Sequence, residues 1–216
     1  FTRENKRDLV TNVVTNGQWT ATNGTVFTEV ISPTKQGYTP DQNKIEDVTG
    51  LTSDDDVYKI LQAVFNAGAQ EVLVYGKEVQ GSKYKEFFDE VKNDWFGTVV
   101  DTTDITEIAK ISKEIGARRK MLFAEVSKDE NVMNIDNKVK SIGEDTTALF
   151  FSKNDETVAG AAAGYAISKF PGSTLIANKL INGTIDSGMV GAEQSKLDTL
   201  NCNYIASMKG QLGLAN

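Results

Sequence analysis

Two different patterns of hydrophobic and polar residues divide the chain near residue 50. Up to residue 31, short alternating runs are separated by two Asn-Gly pairs, Asn16-Gly17 and Asn23-Gly24. Asn-Gly accepts the positive φ angles of tight hairpin turns, so the simplest interpretation is a three-stranded antiparallel β-meander. Its predicted strands cover residues 9–15, 18–22 and 25–31.

Beyond residue 50, helical spacing and extended runs alternate along the chain. A loop at residues 32–49 with two of the three prolines precedes this part and is the expected boundary. Val57, Ile60, Leu61 and Val64 then recur at helical spacing, and Gly68 is expected to end that helix. Further helices are predicted to begin near residues 83, 104, 131, 157 and 193, and strands to cover residues 71–75, 95–100, 120–126, 147–151, 175–176 and 202–206.

Apolar strands that alternate with helices of about ten to fourteen residues are typical of a parallel sheet covered on both faces. The predicted fold class is therefore α/β, with a mainly parallel sheet, helices on both faces and an N-terminal antiparallel β-meander. We expect residues 1–46 to form the meander and loop, either as an insertion or as part of the same domain. Residues 47–216 form the expected α/β core.

Composition narrows the possible partners. The formal net charge is -7 and the isoelectric point about 4.8, so a nucleic-acid surface would repel the chain. The one basic cluster, Arg118-Arg119-Lys120, is interpreted as a helix C-terminus.

The longest apolar run, residues 158–167, is too short to span a bilayer. The single cysteine, Cys202, cannot form an intrachain disulfide and is expected to be a small buried group in a strand.

The chain contains no histidine, which removes Ser-His-Asp and Cys-His catalysis and His-ligated zinc. Four aspartates, Asp101, Asp104, Asp129 and Asp155, lie near the predicted carboxyl ends of strands, where open α/β sheets bind ligands. Such positions could hold Mg²⁺, but Asp104, Asp129 and Asp155 are better explained as caps of the helices that follow. In particular, Asp104 and Glu107 are spaced as a capping box.

The remaining candidate features also favour structural interpretations. Asp54-Asp55-Asp56 lacks the glycine and glutamate of a calcium loop and fits the acidic first turn of a helix. Gly160 and Gly164 would let their helix approach the sheet closely. Phosphate-binding glycine loops are absent from the sequence. Trp95 is expected in the core, whereas Trp19 and Tyr38 have two open interpretations, ordinary packing and a surface contact. No catalytic, cofactor-binding or metal-binding residue is expected.

Two groups of short motifs occur in a particular order. Asp56-Val57-Tyr58-Lys59 is followed by Ala63-Val64-Phe65 and the predicted strand at residues 71–75. The second group consists of Ala161 to Ala163, Pro171-Gly172-Ser173, Ala177-Asn178-Lys179, Leu200 and Asn201-Cys202-Asn203-Tyr204. In this order and spacing, residues 47–210 resemble the conserved core of the sheath subunits of contractile phage tails.

The resemblance implies a structural virion protein with no cofactor, located in the phage tail and assembled in the host cytoplasm. Sheath subunits of that family stack as six-fold rings around an inner tube and shorten to drive genome delivery. The implied partners are other copies of the subunit and the tail tube protein, with no nucleic acid and no membrane. We expect this chain to be an excised piece of a longer subunit and to be monomeric alone. Three alternatives stay open: a flavodoxin-like ligand-binding or enzymatic domain, another virion component such as a baseplate or tube-associated protein, and the sheath of a phage-tail-like bacteriocin.

Overall fold

The computed structural model describes residues 8–10, 19–20, 26–31, 53–54, 56–69, 71–75, 84–90, 95–154, 157–169, 179, 181, 184–208 and 211–215. In chain order the elements are β1 (Asp8–Val10), β2 (Trp19–Thr20), β3 (Val26–Ile31), α1 (Asp56–Asn66), β4 (Glu71–Tyr75), α2 (Tyr84–Glu90), β5 (Gly97–Val99), α3 (Ile105–Ala117), β6 (Met121–Val126), a 3-10 helix (Val132–Asn134), α4 (Asp136–Lys140), β7 (Thr147–Phe151), α5 (Val158–Ile167), α6 (Gly191–Thr199), β8 (Cys202–Met208) and β9 (Gln211–Ala215).

The strands form one sheet with the order β2-β3-β4-β1-β5-β6-β7-β8-β9. Its six central strands, from β4 to β8 in this order, are joined by parallel pairings. Antiparallel strands flank them, with β3 and β2 on one side and β9 on the other. The predicted α/β class and mainly parallel sheet are confirmed.

The first strand of the predicted meander lies elsewhere in the sheet. β2 and β3 pair antiparallel, with Trp19 opposite Phe27, as the hairpin pattern predicts. β1, however, runs parallel between β4 and β5, where Leu9 lies opposite Leu73 on one side and Thr98 on the other. Sequence-local turn signals cannot reveal such a long-range pairing. The division into residues 1–46 and 47–216 stays a prediction.

The central strands present apolar side chains to both faces of the sheet, because successive residues of a strand point in opposite directions. In β6, Leu122, Ala124 and Val126 belong to one buried cluster, core 1, whereas Phe123 belongs to another, core 2. Helices α2, α3, α4 and α6 pack on core 1, and helices α1 and α5 pack on core 2. The expected helices on both faces are confirmed.

The two glycines of α5 allow a close approach to helix α1, which differs from the predicted approach to the sheet. A Cβ atom built on Gly164 would lie 2.1 Å from the carbonyl oxygen of Val64, and one on Gly160 would lie 3.2 Å from that of Ile60. Helix α5 also lies over β5, β6 and β7. The lack of a side chain at Gly160 and Gly164 therefore determines the spacing between helices α1 and α5.

Two other differences concern the second half of the chain. The helix predicted at residues 131–141 is a 3-10 helix followed by α4, although Val132, Ile135 and Val139 are buried as expected. Strand β9, which pairs antiparallel with β8 and places Leu214 opposite Ile205, was not predicted. Its sequence, QLGLA, is short and contains a glycine, so it gives a weak strand signal.

Candidate functional site

The carboxyl ends of β5, β6 and β7 form the edge where an α/β enzyme would bind its ligand. Asp104 lies four residues beyond Val100 in the connection from β5 to α3. Its carboxylate accepts a hydrogen bond of 2.8 Å from the amide of Thr106, so its predicted role as a helix cap is confirmed. The bond satisfies one of the amides that the first turn of α3 leaves without an intrahelical acceptor.

The second half of the predicted capping box is wrong. Glu107 does not bond back to the amide of Asp104, which instead donates to the hydroxyl of Thr102 at 3.2 Å. The carboxylate of Glu107 accepts hydrogen bonds from Tyr84 at 2.8 Å and from Lys110 at 2.5 Å. These bonds hold the pKa of Glu107 below its ordinary value. Burial, assisted by the Glu107 bond, raises the pKa of the Tyr84 hydroxyl. Glu107 therefore connects helices α2 and α3.

The other aspartates of this edge do not share one role. Asp129 is not a helix cap, because the cap of the following 3-10 helix is Asn131, whose side chain accepts a bond of 2.9 Å from the amide of Met133. Asp129 lies in the turn before it, where its own amide bonds to Ser127. Asp101 is half-buried directly after β5, and Asp155 lies outside the described residues. Among the described residues of this edge, Asp101, Asp104 and Asp129 do not come together as a group that could hold a metal ion.

A buried carboxylate that the sequence analysis missed lies in β6. Glu125 is only 3% exposed, and its Oε2 atom accepts a hydrogen bond of 3.2 Å from the amide of Ala159, in the first turn of α5. The positive end of a helix dipole favours a carboxylate at this point. Glu125 is the one charged residue in the apolar run of β6, and that isolation is the signal that could have identified it.

The gap between the carboxyl ends of β7 and β8 is filled by the chain itself. The described pairing of these strands covers Leu149 and Phe150. Beyond it, the carbonyl of Ser187 accepts from the amide of Lys153 at 3.0 Å, and the amide of Ser187 donates to the carbonyl of Ile205 at 2.9 Å. The hydroxyl of the buried Ser187 also accepts from the amide of Ile205 at 2.9 Å. Main chain therefore occupies a position where a ligand could enter.

The basic cluster ends helix α3, as predicted. Arg118 donates a hydrogen bond of 2.7 Å to the carbonyl of Glu114 and forms ion pairs with Glu114 and Asp89. Lys120 donates to the carbonyl of Trp95 at 2.6 Å, and the Trp95 side chain is 2% exposed, in core 1 as expected. These basic groups are engaged in contacts within the domain.

Several remaining candidates are structural where they are described. Asp56 begins α1 and forms an exposed ion pair with Lys59, and Cys202 is fully buried, which raises the pKa of its thiol. Within the described residues, no three His, Cys, Asp or Glu side chains are grouped so that they could hold a metal ion. None of the helices in that part of the chain has the length and apolar character needed to cross a membrane. Tyr38, the Trp19 side chain and the Pro171-Gly172-Ser173 motif lie outside the described residues.

Taken as an architecture, a mainly parallel sheet between two helical layers defines an α/β domain. At the described ends of β5 to β8, the polar groups Asp104, Glu125 and Ser187 bond to main-chain groups of the same domain. In fold, the chain is similar to the sheath protein in the cryo-EM structure of the anti-feeding prophage helical sheath in its contracted state. The similarity has a TM-score of 0.64 at 15% sequence identity and covers 98% of this chain. The chain spans 61% of the length of that sheath protein. The expected likeness to contractile sheath proteins is confirmed at the level of the fold.

Comparison by sequence matches a smaller part of the chain than comparison by fold does. A family model described as a Muc B2-like domain matches residues 1–63, which is less than a third of the chain. The match ends inside helix α1, and it includes β1, whose two partner strands β4 and β5 lie beyond it. It therefore does not coincide with a separate structural unit. No curated protein matches the chain.

Proposed function

We propose that this chain is a structural domain of a contractile sheath subunit from a phage or a phage-like particle. The observation that carries the proposal is the similarity in fold to the sheath of the anti-feeding prophage, which extends over 98% of the chain. The motif order at residues 56–75 and 161–204 supports it independently, because it is a property of the sequence and not of the fold.

The polar groups at the strand ends support a role without catalysis. Asp104 caps α3, Glu125 receives the first turn of α5, and Ser187 bonds to Lys153 and Ile205. An enzyme with this architecture would direct such groups towards a substrate. Here the bond of Asp104 caps its own helix, and the bonds of Glu125 and Ser187 join one element of the domain to another. The function therefore depends on protein surfaces that change partners, with no small molecule converted.

In the complete subunit, we expect copies to associate as six-fold rings around a tube protein and to shorten by moving past one another. In a phage this shortening drives genome delivery, and in a bacteriocin-type particle the same machinery would serve a different purpose. The excess of acidic over basic residues suits contacts with other proteins more than contacts with nucleic acid. The expected location is the sheath of the particle, assembled in the host cytoplasm.

Electron microscopy of the full-length subunit that contains this sequence tests the proposal. We expect helical tubes with six-fold symmetry, and we expect the 216-residue chain alone to sediment as a monomer at micromolar concentration. The full-length protein should show no thermal stabilisation by nucleotides, flavins or Mg²⁺, because a ligand bound only by the folded state raises the stability of that state. Dispersed full-length protein that one of these ligands stabilises would overturn the proposal in favour of a ligand-binding domain.

A further inference from the structure

Helix α6 has a mixed intrinsic tendency to be helical. Of the nine residues in its sequence, GAEQSKLDT, five are good helix formers and four, the glycine, serine, aspartate and threonine, are weaker ones. Its cap residue, Val190, has no side chain that could accept a hydrogen bond from the first turn, and the cap consists of one bond of 3.1 Å from the Val190 amide to the carboxylate of Glu193. The hydroxyls of Ser195 and Thr199 bond back to carbonyls four residues earlier, which slightly destabilises a helix. A nine-residue helix of this kind depends on contacts with the rest of the domain.

Those contacts are few among the described residues. Leu197 is the one buried side chain within α6, and the neighbouring Leu200 is also buried. The remaining contacts are mainly polar. Glu193 accepts two hydrogen bonds from Lys153, of 2.6 and 2.7 Å, and Lys196 donates to Asp136 at 2.6 Å. Both ion pairs therefore connect α6 to residues outside it.

The chain is fixed to the sheet on both sides of α6. Before the helix, the amide of Ser187 bonds to the carbonyl of Ile205. After it, Cys202 pairs with Leu149, and the side chain of Asn203 donates to the carbonyl of Leu149 at 2.8 Å. Asn201, with a φ of 51°, makes the turn between helix and strand. The two ends of residues 191–200 are therefore held by bonds in which the helix itself takes no part.

We propose that residues 191–200 form a flap that opens from core 1 while the sheet stays folded, and that the ion pairs Glu193–Lys153 and Lys196–Asp136 hold it closed. Opening removes Leu197 and Leu200 from core 1 and exposes the β8 side chains beneath them. The inference does not depend on the proposed function, because it concerns the stability of one element within the domain.

The chain contains a natural probe of this motion. Cys202 is its single cysteine, follows the flap directly and is 0% exposed in core 1. Helix α6 contacts β8, the strand that carries Cys202. A thiol reagent should therefore reach the sulfur when the flap opens. Regions that open locally do so more often than the whole protein unfolds, so their labelling continues where global unfolding is negligible.

The test measures the rate at which a thiol reagent labels Cys202 in the folded 216-residue chain, across low concentrations of urea. We expect a rate that hardly depends on urea at first, followed by a steep rise as global unfolding takes over. In Glu193→Gln or Lys196→Gln the urea-independent rate should rise about 2- to 5-fold, because one partly exposed ion pair is lost. Asp56→Asn, which breaks the more exposed Lys59–Asp56 pair within α1, is a control for the loss of a surface ion pair away from the flap and should leave that rate unchanged.

Each other result overturns the proposal. If labelling of the wild type follows global unfolding at every urea concentration, the flap does not open separately. If labelling is local but neither flap variant changes it, a different element exposes Cys202. Circular dichroism of each variant establishes that it is folded, so that a faster rate cannot result from a collapsed structure.

Discussion

Replacing Gly164 with alanine perturbs the contact between helices α1 and α5 at one point. The added Cβ atom would lie 2.1 Å from the carbonyl oxygen of Val64 and 2.8 Å from its carbonyl carbon and Cα atoms. All three are main-chain atoms inside a helix, so no side-chain rotation relieves the contact. The two helices must separate, or α1 must shift along its axis, before alanine fits.

Two opposing effects determine the magnitude. Alanine is a better helix former than glycine by about 1 kcal/mol, which would stabilise the variant if nothing else changed. Overpacking of a close-packed core costs about 1–3 kcal/mol and occasionally more, and a clash with main-chain atoms belongs at the upper end. Val64 and Leu61 of α1 are fully buried, so separation of the helices also weakens core 2. The expected net loss of unfolding free energy is about 2 kcal/mol.

Gly160→Ala supplies the matched control, because it makes the same change one turn earlier in the same helix. There the new Cβ atom would lie 3.2 Å from both the Cγ2 atom and the carbonyl oxygen of Ile60, so a shift of a few tenths of an ångström suffices. Urea titrations followed by circular dichroism give the free energy of unfolding of each variant. We expect Gly164→Ala to unfold at lower urea and to lose about 4–8 °C in Tm. Gly160→Ala should remain within about 1 kcal/mol of the wild type.

The reasoning is refuted if Gly164→Ala is as stable as the wild type or more stable. Helix propensity would then outweigh the contact, and α1 and α5 could not be as close as the structure places them. Equal destabilisation by both substitutions would also contradict it, because the two sites differ by more than 1 Å in the space available to a Cβ atom.

Two further substitutions test polar contacts. Asp104→Ala should lower the free energy of unfolding by about 1 kcal/mol because α3 loses its cap, whereas Asp129→Ala, which removes no cap, should change it by less than about 0.5 kcal/mol in the same urea titration. Burial, with Asp198 nearby, raises the pKa of Tyr204 from 10.0 to about 12. Between these pH values the unfolded chain loses the Tyr204 proton first, so stability falls as the pH rises. Tyr204→Phe should lose less stability than the wild type from pH 10 to 12, and equal slopes would exclude this contribution.

The sequence predicted most reliably those elements whose residues carry a strong local pattern. The apolar run at residues 147–151 coincides with β7, and the alternation of core 1 and core 2 side chains in β6 follows from the period of a strand. Ile108, Ile111 and Ile115 of α3 are buried at helical spacing, as expected. Each of these elements places several buried apolar residues at the spacing of a strand or a helix, so several residues together predict the same element.

Features that depend on distant parts of the chain could not be predicted in the same way. Nothing local in β1 indicates that it lies parallel between β4 and β5 instead of beside β2. Likewise, the motif of Gly160 and Gly164 predicts that something approaches closely, but its spacing does not say whether a sheet or a helix does so. In the described part of the chain, helix α1 occupies that position and shares core 2 with α5.

The aspartates at the strand ends show why a candidate site in this fold class needs geometry as well as sequence. In an α/β sheet each helix begins just after a strand ends, so a capping carboxylate and a ligand-binding carboxylate occupy the same stretch of sequence. The hydrogen bonds of a carboxylate distinguish these two roles. Asp104 accepts one from the amide of Thr106, and Glu125 accepts one from the amide of Ala159, each in the first turn of a helix. A carboxylate that accepts bonds from helix amides stabilises the fold through the helix dipole. The positions of Asp104 and Glu125 at this edge are therefore explained by the helices whose first turns they contact.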